Sequence, residues 1–208
     1  PVAGGKKGLL MHEGSELAVT LPGDAGDWRV IPQPQTPLTI LSQDKGFVML
    51  DKPAGMPVHP LSPDETGTLL NAAIARFPQM QGLGEAGLRS GVVHRLDVET
   101  SGIIVMATQA ETWQAMRQAF ADHRTTKIYA AIVQGPIAAQ GQLRLHLTIA
   151  QHRPAKVKVV SEATSQSRLC DLSWQVVERR RQASLVHVKL GTGFLHQIRV
   201  MLAHAGHP

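Results

Sequence analysis

The chain has 208 residues, 43% hydrophobic and 18% charged, with 21 basic against 16 acidic side chains and 10 histidines. That is enough for one large domain, or one with a small annex, and enough to bury a core. A single cysteine excludes an intramolecular disulfide and a cysteine zinc cluster. No apolar run approaches the ~18 residues of a membrane span and no signal-like leader is visible, so a reducing, cytoplasmic setting without membrane contact is expected.

Charge is divided unevenly. Residues 1–110 hold 8 basic and 11 acidic residues, and residues 111–208 hold 13 and 5, balances of −3 and +8. A basic half points to an anionic partner, nucleic acid first, against the plainer alternative of a solvated surface.

In chain order, glycines and the prolines Pro32, Pro34 and Pro37 make residues 1–37 read as an arm and linker, with one short strand over Leu17–Leu21. The division expected is 1–22 as a remnant of a preceding domain, 23–37 as linker and 38–208 as the main domain. A start without methionine and a stop at Pro208 lead to the expectation of a fragment at both ends. Leu38–Leu41 and Phe47–Leu50 read as strands, and Asp51-Lys52-Pro53-Ala54-Gly55 as a turn. Thr68–Phe77 has helical spacing, and Ile103–Ala107 has the β-branched run of a buried strand. Thr108 and Glu111 form a capping-box pattern ahead of a helix to Asp122.

The remainder is mostly strand: Lys127–Gln134, Leu143–Ile149, Lys156–Val160, Leu169–Glu178 and Ser184–Leu190. A last helix is expected from Leu195 to Gly206. Runs of strands with few helices between them predict an α+β fold with a mixed, largely antiparallel sheet and flanking helices.

Three segments hold the chemistry. His94-Arg95-Leu96-Asp97 is followed by Thr100-Ser101-Gly102 and flanked by apolar stretches, a rigid setting for a carboxylate. In extended backbone Arg95 and Asp97 point the same way, and the plain alternative is a structural salt bridge with turn capping. On the last helix, His196, Arg199 and Ala203 share one stripe and Ile198, Leu202 and Ala205 the apolar one; Gly191-Thr192-Gly193 ahead of it can offer backbone N–H groups to an anion. Lys127 and Tyr129 share one face of their strand, as a base or phosphate contact or as core packing. His196, His204 and His207 with Asp97 form a weak zinc alternative, because Gly206 ends the helix between His204 and His207.

Together these segments resemble the RluA-type pseudouridine synthases. His94–Asp97 with Thr100-Ser101-Gly102 is similar to the family's H-R-L-D-x-x-T-S-G signature. Lys52–Gly55 with Val58-His59 resembles its K-P-x-G and V-H motif, Lys127–Gly135 its K-x-Y-x-A-x-V-x-G strand, and His196–Val200 with Gly206-His207-Pro208 its H-Q-I-R-V…G-H-P segment. The family's G-R-T before H-Q-I-R is replaced here by Gly193-Phe194-Leu195. Gly14–Leu21 bears a short resemblance to the end of a small RNA-binding domain that often precedes this one.

The resemblance implies a catalytic cleft along an antiparallel sheet, and isomerisation of uridine to pseudouridine in structured RNA, ribosomal RNA in preference to transfer RNA. No cofactor, metal or obligate protein partner is implied. Asp97 is the expected catalytic carboxylate, Arg199 its ion partner, and Tyr129 the ring that stacks on the base. Arg95 helps displace the nucleotide, and His94, Lys52, Lys127 and Ile198 complete the substrate-binding set. A nearby cation lowers a carboxylate pKa by about 1–3 units. A silent RNA-binding relative and a metal-dependent hydrolase are the competing readings.

Overall fold

The structure, a computed structural model, describes residues 28–85, 87–152 and 154–208. The Leu17–Leu21 strand and the 1–22 remnant lie outside them. The chain divides into two compact units, the first up to Trp113 and the second from Gln114 to Pro208.

The first unit holds β1 (Thr39–Asp44), β2 (Phe47–Lys52) and β3 (Gly102–Ala107) in one antiparallel sheet, order β1-β2-β3. On β2 the two-residue period turns Val48, Leu50 and Lys52 inward. Val48 faces Met106 and Leu50 faces Ile104 across the β2–β3 pair, and all four apolar side chains are fully buried. Helix α1 (Leu69–Arg76) covers them with Leu69, Leu70 and Ile74. Thr68 caps it in a box with Asn71: Thr68 Oγ1 accepts from the Asn71 N–H at 3.3 Å, and Asn71 Oδ1 accepts from the Thr68 N–H at 3.0 Å. The next two orphan N–H groups, Leu69 and Leu70, donate to the Pro57 and Val58 carbonyls at 2.9 Å each.

The described part of the proline-spaced stretch is seated on this helix. Val30 is buried, Gln33 N–H donates to Asn71 O at 3.0 Å, and Asn71 Nδ2 donates to Ile31 O at 2.8 Å.

Helix α2 (Ala110–Ala121) carries the change of unit. The second unit is a five-stranded antiparallel sheet, order β4-β8-β7-β5-β6. Its strands are β4 (Lys127–Gln134), β5 (Gln140–His152), β6 (Ala155–Val160), β7 (Arg168–Arg179) and β8 (Ala183–Leu190). Helix α3 (Gln197–His204) packs against β5 and β6, with Met201 and Leu202 buried against Leu147, Cys170 and Val186.

The α+β class of the sequence reading holds, and the strands form two sheets in which every pairing is antiparallel rather than one mixed sheet. In the first sheet β3 is an end strand. Its outer edge is occupied by the segment before it: Ala107 N–H donates to Gly91 O at 2.9 Å, Val92 bridges to Met106, and Val105 N–H donates to the His94 ring at 2.9 Å. An edge so covered accepts no further strand. Helix α3 begins at Gln197, two residues later than expected, because His196 takes a left-handed conformation (φ 52, ψ 22) that no helix continues.

Candidate active site

In the first unit the His94–Gly102 segment runs extended along β3, then reverses. Thr100 N–H donates to Asp97 O at 3.0 Å, closing the turn. Leu96 packs on the core, Arg95 is exposed, and Asp97 is half-buried. His94 holds the incoming strand: its Nε2 accepts from the Val105 N–H, so that nitrogen carries a lone pair and not a proton.

Lys52 braces the far side of the turn. It is fully buried, and its ammonium donates to three carbonyls, Pro53 at 2.8 Å, Met56 at 2.7 Å and Val98 at 2.9 Å. Gly55 N–H reaches the same Val98 oxygen at 2.9 Å. Two donors from the Lys52–Gly55 turn therefore converge on the residue next to Asp97. All three ammonium protons are used, so Lys52 positions the turn. Burial lowers the Lys52 pKa, and the charges of Glu99 and Asp97 partly oppose that. Gly55 has φ 82, which a side chain rarely adopts.

His59 is also buried, with neither ring nitrogen hydrogen-bonded. Burial pushes its pKa below the usual histidine range. The nearby carbonyls of His59 and Pro60 oppose this, and the charges of Arg89 and Arg95 add to it.

In the second unit β4 alternates as expected. Lys127, Tyr129 and Ala131 are half-buried, and Ile128, Ala130 and Ile132 are exposed. Tyr129 stands opposite Val188 and packs against the second core. Lys127 stands opposite Leu190, where burial lowers its pKa and the Asp171 carboxylate partly restores it. A Cβ built on Gly193 would lie 3.7 Å from Lys127 Nζ, so the ammonium sits over the turn into α3.

On α3 Arg199 is exposed, while Ile198 packs against the core. His196 stands outside the helix, so the expected His196–Arg199–Ala203 stripe reduces to Arg199 and Ala203. His207 Nδ1 lies 3.2 Å from the Gln134 carbonyl. Among the described residues no three His, Cys, Asp or Glu side chains group where a metal ion could be held. A cavity of about 540 Å³ lies beside Trp28 and Arg29 and another of about 350 Å³ beside Arg144 and His204; of the residues singled out in the sequence, His204 of the zinc alternative alone lines either.

Sequence reasoning passed over Asp171, and named Thr192 and Gln197 only as members of their motifs, with no role for either side chain. Gln197 Oε1 accepts from Thr192 Oγ1 at 2.9 Å and from Phe194 N–H at 3.0 Å, and its Nε2 donates to Asp171 O at 2.9 Å. The one available signal was the position of Gln197 beside two candidate site residues; a buried amide network leaves no period in the sequence.

Residues 46–204 match the family model described as RNA pseudouridylate synthase. The chain is 32% identical over 200 residues to the ribosomal large subunit pseudouridine synthase D of Pseudomonas aeruginosa, covering 96% of this chain and 59% of that protein. It is 38% identical over 176 residues to an uncharacterized RNA pseudouridine synthase of Chlorobaculum parvum, covering 82% and 53%. It thus spans little more than half the length of the curated relatives it matches. Among solved structures it is similar in fold to human RNA pseudouridylate synthase domain containing 1, with a TM-score of 0.67, 23% identity and coverage of 85% of this chain and 69% of that one. With the match extending from the turn before β2 to the end of α3, this chain belongs to the RNA pseudouridylate synthase family.

Proposed function

We propose that the chain carries the catalytic machinery of an RNA pseudouridine synthase, with Asp97 as the carboxylate that acts on the nucleoside. The observation that carries this is the turn beside Asp97, fixed by Lys52 and Gly55 on one carbonyl and by His94 on β3. A half-buried carboxylate on a rigid turn suits a group that must meet one sugar or base in one geometry.

The reaction breaks the bond from ribose carbon 1′ to uracil nitrogen 1, turns the base, and joins carbon 5 to carbon 1′. No atom enters or leaves. The target leaves its stack first, at a cost of a few kcal/mol. Arg95, exposed ahead of Asp97, is the side chain proposed to take its place. Tyr129 supplies a ring face for the uracil and a hydroxyl that passes on the proton lost from carbon 5, while nitrogen 1 takes one up. Arg199 supplies a cation to the same reaction, and Lys127 one for a phosphate. Lys52, His94 and Ile198 position these groups.

Structured RNA is the proposed partner, reached through the basic half of the chain, with no protein partner required. Ribosomal RNA is favoured over transfer RNA, because several relatives bear names for the large ribosomal subunit. Residues 38–208 are the proposed catalytic region, and the cytoplasm its location. Among the described residues no helix is long and apolar enough to cross a membrane.

The test is to incubate the protein with cellular RNA lacking the modification and map pseudouridine by carbodiimide primer extension. New stops at a few uridines are expected. RNA binding without any stop would identify a silent binder, and loss of activity in chelator would favour a hydrolase.

A further inference from the structure

We propose that Gln197 is a positioning residue for Arg199, acting through a closed ring of hydrogen bonds with Asp171 and Thr192. This deepens the proposed function and rests on the role given there to Arg199.

The ring can be followed bond by bond. Asp171 N–H donates to Thr192 Oγ1 at 3.1 Å. The Thr192 hydroxyl donates to Gln197 Oε1 at 2.9 Å. Gln197 Nε2 donates to Asp171 O at 2.9 Å. The second lone pair of Oε1 takes the Phe194 N–H at 3.0 Å. Both lone pairs of Oε1 and one Nε2–H are matched, and turning the amide over would set its nitrogen against the Phe194 N–H.

The ring lies where the β7–β8 pair ends. Leu172 still faces Leu190 in register, and one step further Gly191 N–H donates to Asp171 O at 3.2 Å. The Gln197 amide is the second donor to that carbonyl, and its oxygen takes the Thr192 hydroxyl that meets the Asp171 N–H. Gln197 is 3% exposed, so the bonds to its own amide are largely shielded from water, where an unmade one costs about 1–3 kcal/mol. Gly191 belongs to the same device: a Cβ there would fall on the Asp171 carboxylate.

The consequence for α3 is direct, because Gln197 is its first residue and Arg199 lies in its first turn. The helix lacks the usual restraint at that end. His196 makes no side-chain cap bond and sits at φ 52, a conformation that persists only where the surroundings impose it. Met201 and Leu202 pack the helix on the core, and after its last turn Gln134 N–H donates to Pro208 O at 2.8 Å, so the far end is tied to β4. The amide of Gln197 ties the near end by joining the helix to β7 and to the turn after β8.

The experiment compares Thr192→Val, Thr192→Ser and Gln197→Glu with wild type in single-turnover pseudouridine formation. Thr192→Val keeps the shape and removes the hydroxyl; Thr192→Ser keeps the hydroxyl. Gln197→Glu replaces the Nε2 donor by an acceptor facing the Asp171 carbonyl. Thr192→Val is expected to lower kcat about 3–10-fold, Thr192→Ser to recover most of that, and Gln197→Glu to lower it about 10²-fold, with KM within about 3-fold. Combining Thr192→Val with Arg199→Lys is expected to cost less than the product of the two single losses, as coupled sites do. A kcat unchanged by Thr192→Val, or fully multiplicative losses, would overturn the proposal.

Wild type forming no pseudouridine would instead overturn the function. The ring is then read by hydrogen exchange at Val200, whose N–H donates to His196 O at 3.0 Å. Faster exchange in Thr192→Val than in Thr192→Ser supports the ring, and equal exchange refutes it.

Discussion

The two units fix their chemical groups by opposite means. The first uses a charge: a buried ammonium, Lys52, gathers three carbonyls and holds the turn beside Asp97. The second uses neutral groups: an amide, a hydroxyl and two peptide groups close a ring ahead of Arg199. A charge-assisted hydrogen bond is roughly twice as strong as a neutral one, but a buried charge is costly once its partners are lost. The first unit should therefore fail abruptly when its brace is cut, and the second by degrees.

Lys52→Met tests this most severely. It leaves three carbonyls without their donor, and we expect a loss of about 2–4 kcal/mol. Hydrogen exchange should show the loss in α1, β2 and β3, with β7 and β8 changing least. A loss under ~1 kcal/mol would mean that water replaces the ammonium and the contrast is false.

Gly191→Ala is the counterpart in the second unit. The new Cβ displaces the Asp171 carboxylate, and we expect about 1–3 kcal/mol by denaturant titration. Thr68→Ala removes the cap of α1, with an expected loss of about 1 kcal/mol. A larger loss would show that the cap also secures residues 31–33, which Asn71 holds.

The smallest effect is a dependence on pH. His59 has its pKa lowered by burial, so below about pH 6.5 the unfolded chain takes up a proton that the folded one refuses. Stability is full above that value and declines as pH falls through it. His59→Leu should flatten the decline of Tm between pH 7 and pH 5, and an unchanged slope would remove His59 from the account.

Much of the fold was legible because period and caps are local. The β4 range was read to the residue, since Lys127–Gln134 alternates cleanly. Thr68 and the spacing of Leu69, Ala72 and Ala73 placed α1 within one residue of its ends. What escaped was long-range or against preference. The β2 alternation places Lys52 inward, but its bond to Val98 spans 46 residues and leaves no pattern. The left-handed His196 shortened α3, and no local signal marks it. The cover that His94 and Gly91 give the β3 edge is likewise absent from a list of strands. Arg95, Asp97, Lys127, Tyr129 and Arg199 stood out from their segments, and their roles came from resemblance rather than from spacing.

The central claim is that the Asp97 carboxylate acts on the nucleoside. The most direct measurement compares Asp97→Asn with wild type, quantifying pseudouridine in RNA that lacks it while measuring RNA affinity in parallel. The account predicts a loss of product of at least ~10³-fold with affinity within a few-fold of wild type. Product formed by Asp97→Asn at near the wild-type rate would contradict it.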